Sequence, residues 1–145
     1  MTTRRAAREL ALQALYQLDL RNDTEASLSL AGFWAHFDPE GEDTGFAREL
    51  VEGVLADRVR IDTLIEATAK HWRLPRLAKV DLNLLRVATF ELSGRPEIPA
   101  SVTINEAIEI ARRFGSVESA AFVNGVLDQI ATTLGVKEPK RPEAE

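Results

Sequence analysis

Apolar side chains return every three to four residues along most of the chain, the period of a helix with one buried stripe. Ala7, Ala11, Ala14, Leu15 and Leu18 set it over residues 4–20. Leu30, Phe33, Trp34 and Phe37 continue it more weakly from about Glu25 to Phe37, where Asp38-Pro39-Glu40-Gly41 breaks it. Phe46, Leu50, Val54, Ile61, Leu64, Ile65 and Thr68 hold a single phase, which predicts one long helix with a break near Arg58. Pro75 precedes a helix over 77–92 that is apolar almost all round, through Val80, Leu82, Leu84, Leu85, Val87 and Phe90. A helix without a polar face is buried by neighbours on several sides. Residues 94–99 read as a loop with Pro96 and Pro99. Thr103-Ile104-Asn105-Glu106 has the spacing of a capping box. The helix that it opens stops at Gly115, a residue suited to a left-handed cap. Ser116 opens the last helix, which ends at Gly135, and residues 137–145 are charged, Pro-rich and predicted to be a disordered tail.

No run alternates Val, Ile and Thr as a strand would, so the fold class is all-α: a compact protein of about six to seven helices. With 145 residues the chain matches the common size of one domain. The expected organisation is a single domain over 1–136, divided into two abutting helical bundles, about 4–72 and 75–136. No stretch approaches the ~20 apolar residues of a membrane span. The basic start, Met1-Thr2-Thr3-Arg4-Arg5, has no apolar signal segment behind it. Cysteine is absent, which excludes disulfides, thiolate nucleophiles and cysteine-ligated metal sites. Together these features predict a cytoplasmic protein.

Charge changes the picture. The net charge of -5 conceals a basic start, with four Arg against two acids over 1–21, and an acidic stretch with nine acids against Arg48 over 22–57. The acidic stretch suits a basic partner and the N-terminal turn suits a phosphate backbone. Catalytic groups are scarce. His36 and His71 are the only histidines, and neither stands in a Glu-x-x-His ligand pair. His71, beside Trp72, reads as a helix-end residue. No phosphate-binding glycine loop, dinucleotide fingerprint or hydrolase nucleophile motif occurs. Glu106 and Glu109 share a helix face, as metal-binding carboxylates would, but Glu106 already has the capping position. The reading is a protein that is not an enzyme, with no cofactor, no metal and no catalytic residues.

Some surface residues need a reason. On a helical wheel of the last helix, Ala120, Val123, Leu127, Ile130 and Leu134 form the buried stripe. Phe122 falls on the outer side with Glu118, Gly125 and Gln129. An aromatic there either packs against another helix or stacks on an unpaired base, at ~1–3 kcal/mol per base. Phe114, after Arg112 and Arg113, would combine phosphate contact with stacking in one place. In the first helix, Leu12 and Tyr16 lie on a flank with Arg5, and Arg8 borders the buried stripe. Arg4, Arg5 and Arg8 crowd the end where the macrodipole disfavours cations. As three arginines without partners, they point to an external anion.

Several motifs carry a resemblance. Arg4-Arg5-Ala6-Ala7-Arg8-Glu9-Leu10-Ala11-Leu12-Gln13-Ala14-Leu15-Tyr16 opens the chain, and Val80-Asp81-Leu82-Asn83-Leu84-Leu85-Arg86-Val87-Ala88 leads to Phe90-Glu91-Leu92. Ile98-Pro99 precedes Ile104-Asn105-Glu106-Ala107-Ile108-Glu109-Ile110-Ala111 and Phe114-Gly115; then come Glu118-Ser119 and Phe122-Val123-Asn124-Gly125-Val126-Leu127-Asp128. In this order the chain resembles the NusB family of bacterial transcription antitermination factors over almost its whole length. The resemblance implies two small helical bundles at right angles. It also implies binding to the single-stranded boxA element of ribosomal RNA leaders together with ribosomal protein NusE, and through them an indirect link to the RNA polymerase antitermination complex. By the same resemblance Arg4, Arg5 and Arg8 and the turn of Glu118 and Phe122 face RNA, with Phe114 added from its own position, while Tyr16 and Asp81 match positions on the RNA or the NusE side and are assigned to the partner. Ala6 and Ala121 stand where relatives often carry a basic residue, which implies modest RNA affinity until the partner adds positive surface. The alternatives are a self-associating helical scaffold, with a homodimer covering the RNA surface, and a relative of the helical domain of ribosomal RNA methyltransferases.

Overall fold

The computed structural model describes residues 3–21, 26–41, 43–69 and 77–137. Among them are seven helices and no strand: α1 (Arg4–Arg21), α2 (Ala26–Phe37), α3 (Gly45–Ala56), α4 (Arg58–Thr68), α5 (Lys79–Gly94), α6 (Ala100–Phe114) and α7 (Ser119–Leu134). His71, Trp72 and Pro75, and the tail from 138 onward, lie outside the described residues. Lys137, expected in that tail, is paired with Asp128 at 2.8 Å.

Helix α5 is central, contacting α1, α3, α4, α6 and α7. Leu84, Leu85 and Val87 on it are fully buried, and one apolar cluster runs from Ala7 on α1 to Ala131 on α7. The all-round apolar pattern of this helix is therefore met by neighbours on every side. The long helix expected over 46–68 with a break near Arg58 is two helices, α3 and α4, and the break falls at Asp57 with φ -122° and ψ 23°. The apolar phase carries across because Val54, Ile61 and Ile65 enter the same core. Asp38, beyond α2, is buried and organises the turn into α3. Its Oδ2 accepts from the backbone N–H groups of Asp43 and Thr44, both at 3.0 Å, and from the Thr44 hydroxyl at 2.8 Å.

Two helix starts differ from the sequence reading. α6 begins at Ala100 behind Pro99, so Thr103-Ile104-Asn105-Glu106 lies inside the helix and makes no capping box. Proline is tolerated here because a helix start leaves backbone N–H groups without intrahelical partners. α7 begins at Ser119 rather than Ser116. Gly115 is not left-handed: its φ is -96°. It is glycine because a Cβ would lie 2.4 Å from the Ser119 Oγ and 2.8 Å from the Ala111 carbonyl oxygen. The left-handed cap is at Gly135, with φ 70°.

The core also holds charges that periodicity does not reveal. Arg86 on α5 donates from Nη1 to Asp19 Oδ2 at 2.9 Å, from Nε to Asp62 Oδ1 at 2.7 Å and from Nη2 to Asp62 Oδ2 at 2.9 Å. Asn83 donates to Asp19 Oδ2 at 2.9 Å, and Arg58 reaches Asp19 Oδ1 at 3.2 Å. The network ties α1 and α4 to α5.

Candidate nucleic-acid interface

Helix α1 carries its arginines in three directions. Arg4 and Arg8, one turn apart, lie toward Phe46 of α3, with guanidinium carbons 4.5 and 5.6 Å from the ring centroid. Arg95 joins the same ring at 5.3 Å and pairs through Nη1 with Glu49 at 2.5 Å. Arg4 is exposed. Arg5 turns toward α6, where Nε donates to Glu106 Oε2 at 2.5 Å and Nη2 to Oε1 at 3.3 Å. Its hydrogen bond to Glu106 and that carboxylate's charge hold the guanidinium above its ordinary pKa; the same bond holds the Glu106 carboxyl below its own.

Arg8 departs from the expectation. Its side chain is 4% exposed and sits bidentate on Glu91, itself 1% exposed, with Nε to Oε2 at 2.9 Å and Nη2 to Oε1 at 2.7 Å. A carboxylate buried on α5 requires a partner of opposite charge, and Arg8 supplies it. Arg8 is therefore not a free surface cation, and the three arginines do not lack partners: Arg5 and Arg8 hold carboxylates and Arg4 holds a ring. Leu12, placed on a polar flank by the wheel, is buried, and Tyr16 is half-buried.

At the α6–α7 turn, Glu118 stands exposed at the N-cap position of α7 without a side-chain capping bond. Ser119 Oγ instead accepts from the Ser116 N–H at 2.9 Å. Phe122 is half-buried, its ring resting on the core between two clefts. The larger cleft, about 760 Å³, lies between α4 and α7 with Leu64, Ala67, Gly125 and Gln129 among its walls. The smaller, about 150 Å³, is lined by Leu77, Ala78, Asp81, Ser116, Glu118 and Ser119. Asp81 Oδ1 is buried and has no hydrogen-bond partner among the described residues.

Phe114 is 38% exposed, and the Arg113 guanidinium stands 5.2 Å from its ring centroid. It lines a third groove, of about 390 Å³, with Tyr16, Leu20, Phe33, Phe37 and Val80. The structure thus sorts the candidates differently from the sequence. Asp81 lies with Glu118 and Phe122; Phe114 lies with Tyr16. Leu20 and Phe37, both exposed, belong to the second group, and sequence reading missed them. The signal was positional: Leu20 continues the flank of Leu12 and Tyr16 at helical spacing, and Phe37 ends the apolar pattern of α2.

Cations on one helix tip, a half-exposed ring at a helix turn and a separate apolar groove are the features this all-helical protein offers for binding. Among the described residues no three His, Asp or Glu side chains gather as a metal site would require, and no helix is long and apolar enough to cross a membrane. The chain belongs to the NusB family, whose model matches residues 5–132. It is 50% identical to the transcription antitermination protein NusB of Geobacter sp. (strain M21), over 95% of this chain and all of that protein. It is similar to the solved structure of T. maritima NusB, with 40% identity, a TM-score of 0.82 and coverage of 90% and 92% of the two chains. It is also similar to a chain in a crystal structure of antitermination factors NusB and NusE in complex with dsRNA, with 26% identity, a TM-score of 0.78 and coverage of 90% and 96%.

Proposed function

We propose that the protein is a cytoplasmic, non-catalytic transcription antitermination factor that binds the boxA segment of ribosomal RNA leaders together with NusE and helps assemble the antitermination complex on RNA polymerase. The observation that carries the RNA surface is Phe122, half out of the surface between two clefts beside Glu118 and the unpartnered Asp81 oxygen. A ring so placed takes an unpaired base, which a duplex keeps in its own stack. Arg4 and Arg5 supply the phosphate contacts. Arg8 supports them from below, fixing α1 to α5 through Glu91.

NusE docks on the groove of Tyr16, Leu20, Phe37 and Phe114. A half-exposed apolar groove that draws Phe33 and Phe37 from the acidic stretch of the sequence fits a basic protein that contributes aliphatic or aromatic side chains. Phe114 thereby moves from the RNA face to the partner face, and Asp81 to the RNA face.

Fluorescence titration of boxA RNA, single-stranded and annealed to its complement, tests the first surface. Phe122→Ala lowers affinity for the single strand several-fold. A change below twofold with the fold intact refutes the stacking role, and equal binding of the duplex refutes the unpaired-base reading. Leu20→Asp tests the second, abolishing NusE capture while leaving binding of RNA alone unchanged.

A further inference from the structure

The outer face shared by α1 and α6 is neutralised from within. Arg5 is held by Glu106, Arg113 Nη1 lies 3.1 Å from Glu9 Oε1, and Arg112 Nη1 lies 2.6 Å from Glu109 Oε1. Three guanidiniums therefore face three carboxylates. Arg5 is the one of these on the helix tip proposed for RNA, and its side chain is 52% exposed. Glu106 takes the Nε edge of the guanidinium and one proton of Nη2. An incoming phosphate must displace it or accept a third charge beside it.

We propose that Glu106 is an internal competitor for Arg5, an attenuator of RNA affinity built into the α1–α6 contact. This rests on the RNA-binding reading above and adds to it a residue that does not touch the RNA. Binding of a phosphate by a free arginine releases condensed cations, ~0.7 per contact on a single strand. When the arginine is already paired, the phosphate frees a carboxylate beside a polyanion, and that carboxylate takes a cation back. The contact then contributes little to the salt dependence. The pair is exposed enough to open in water, because surface ion pairs in high dielectric hold their partners only weakly. Glu106 thus lowers affinity for any RNA whose remaining contacts are poor, and a strand engaging Phe122 as well overcomes it. The attenuator makes the surface selective at the cost of strength.

The experiment titrates full-length protein with boxA and scrambled single-stranded RNA at several salt concentrations. The variants are Glu106→Gln, Arg5→Ala and the double variant, with Glu52→Gln on the exposed face of α3 as a control for net charge. Glu106→Gln is expected to raise affinity about three- to tenfold at low salt, more for scrambled RNA than for boxA, and to steepen the slope of log K against log salt by ~0.7. Glu52→Gln gives less than a twofold rise, and in the Arg5→Ala background the Glu106 effect disappears. An unchanged slope, a loss of affinity, or a gain that persists without Arg5 overturns the proposal. Where wild type still prefers boxA over scrambled RNA, that result leaves the RNA-binding reading standing. Absence of any RNA binding by wild type and variants removes both. Circular dichroism of Glu106→Gln, with Glu106→Ala as a second variant, separates these outcomes from misfolding.

Discussion

Removing one member of the Arg8–Glu91 pair is expected to destabilise the fold far more than removing both. The two side chains are 4% and 1% exposed and share three direct hydrogen bonds, and Thr103 Oγ1 adds a long contact of 3.4 Å to Glu91. Arg8→Met leaves Glu91 charged and buried among α1, α5 and α6, which costs about 3–5 kcal/mol. Against a domain stability of roughly 5–15 kcal/mol that is about a fifth or more. At about 3 °C per kcal/mol for a chain of this size, Tm falls by roughly 10–15 °C. Arg8→Met with Glu91→Leu removes both charges and their desolvation together, so most of the loss returns. Thermal melts and urea titrations of the four proteins in the cycle give the coupling. The same proteins address function: Arg8 does not reach the surface, so the double variant keeps the wild-type salt slope for boxA. A double variant as unstable as Arg8→Met refutes the buried-charge argument. A slope reduced by ~0.7 would mean that Arg8 reaches a phosphate and that the inward orientation is wrong.

Three further outcomes follow. Burial pushes the Asp19 carboxyl up, but the Asn83 hydrogen bond and the charges of Arg86, Arg58 and Lys79 together outweigh it and hold the pKa below its ordinary 3.8. Its contribution to stability is complete above that ordinary value and is lost as pH falls through the lower folded value. Asp19→Asn therefore flattens the acid limb of a stability-against-pH curve below about pH 4, and an unchanged limb counts against the network. Arg4→Ala is expected to lower the boxA salt slope by ~0.7 while costing only about 0.5–1 kcal/mol from the lost contact with Phe46; an unchanged slope removes Arg4 from the RNA surface. Gly115→Ala is expected to cost roughly 1–3 kcal/mol by overpacking against Ser119 and the Ala111 carbonyl, and to weaken boxA binding by shifting the turn that carries Phe122. A stable variant with full RNA affinity shows that the turn does not position the ring.

Helices were legible where one face is apolar and the other polar, because burial and period then coincide. That holds for α1, and for α5 in the stronger sense that no polar face remained. The errors share one physical origin: a helical wheel gives the direction of a side chain without the neighbour that meets it. Arg8 borders the apolar stripe of α1, and only the presence of Glu91 across the core turns a border position into a buried one. Glu91 is itself polar within an apolar run, so the two exceptions explain each other only once α1 and α5 are side by side. The capping box failed likewise: Thr103 and Glu106 have the right spacing, yet Pro99 starts the helix three residues earlier. Glu106, released from capping, is free to take Arg5. The resemblance pointed to the α1 tip and the α6–α7 turn, but it carried no information on which cations the fold had already neutralised. That matters for mechanism. Of the three arginines at the start of α1, the structure leaves Arg4 over a ring, Arg5 beneath a competing carboxylate and Arg8 inside the core. On the proposed function, affinity set by so few available charges comes from the ring at Phe122 and from a partner. An adaptor whose RNA grip is incomplete alone assembles where RNA and partner arrive together.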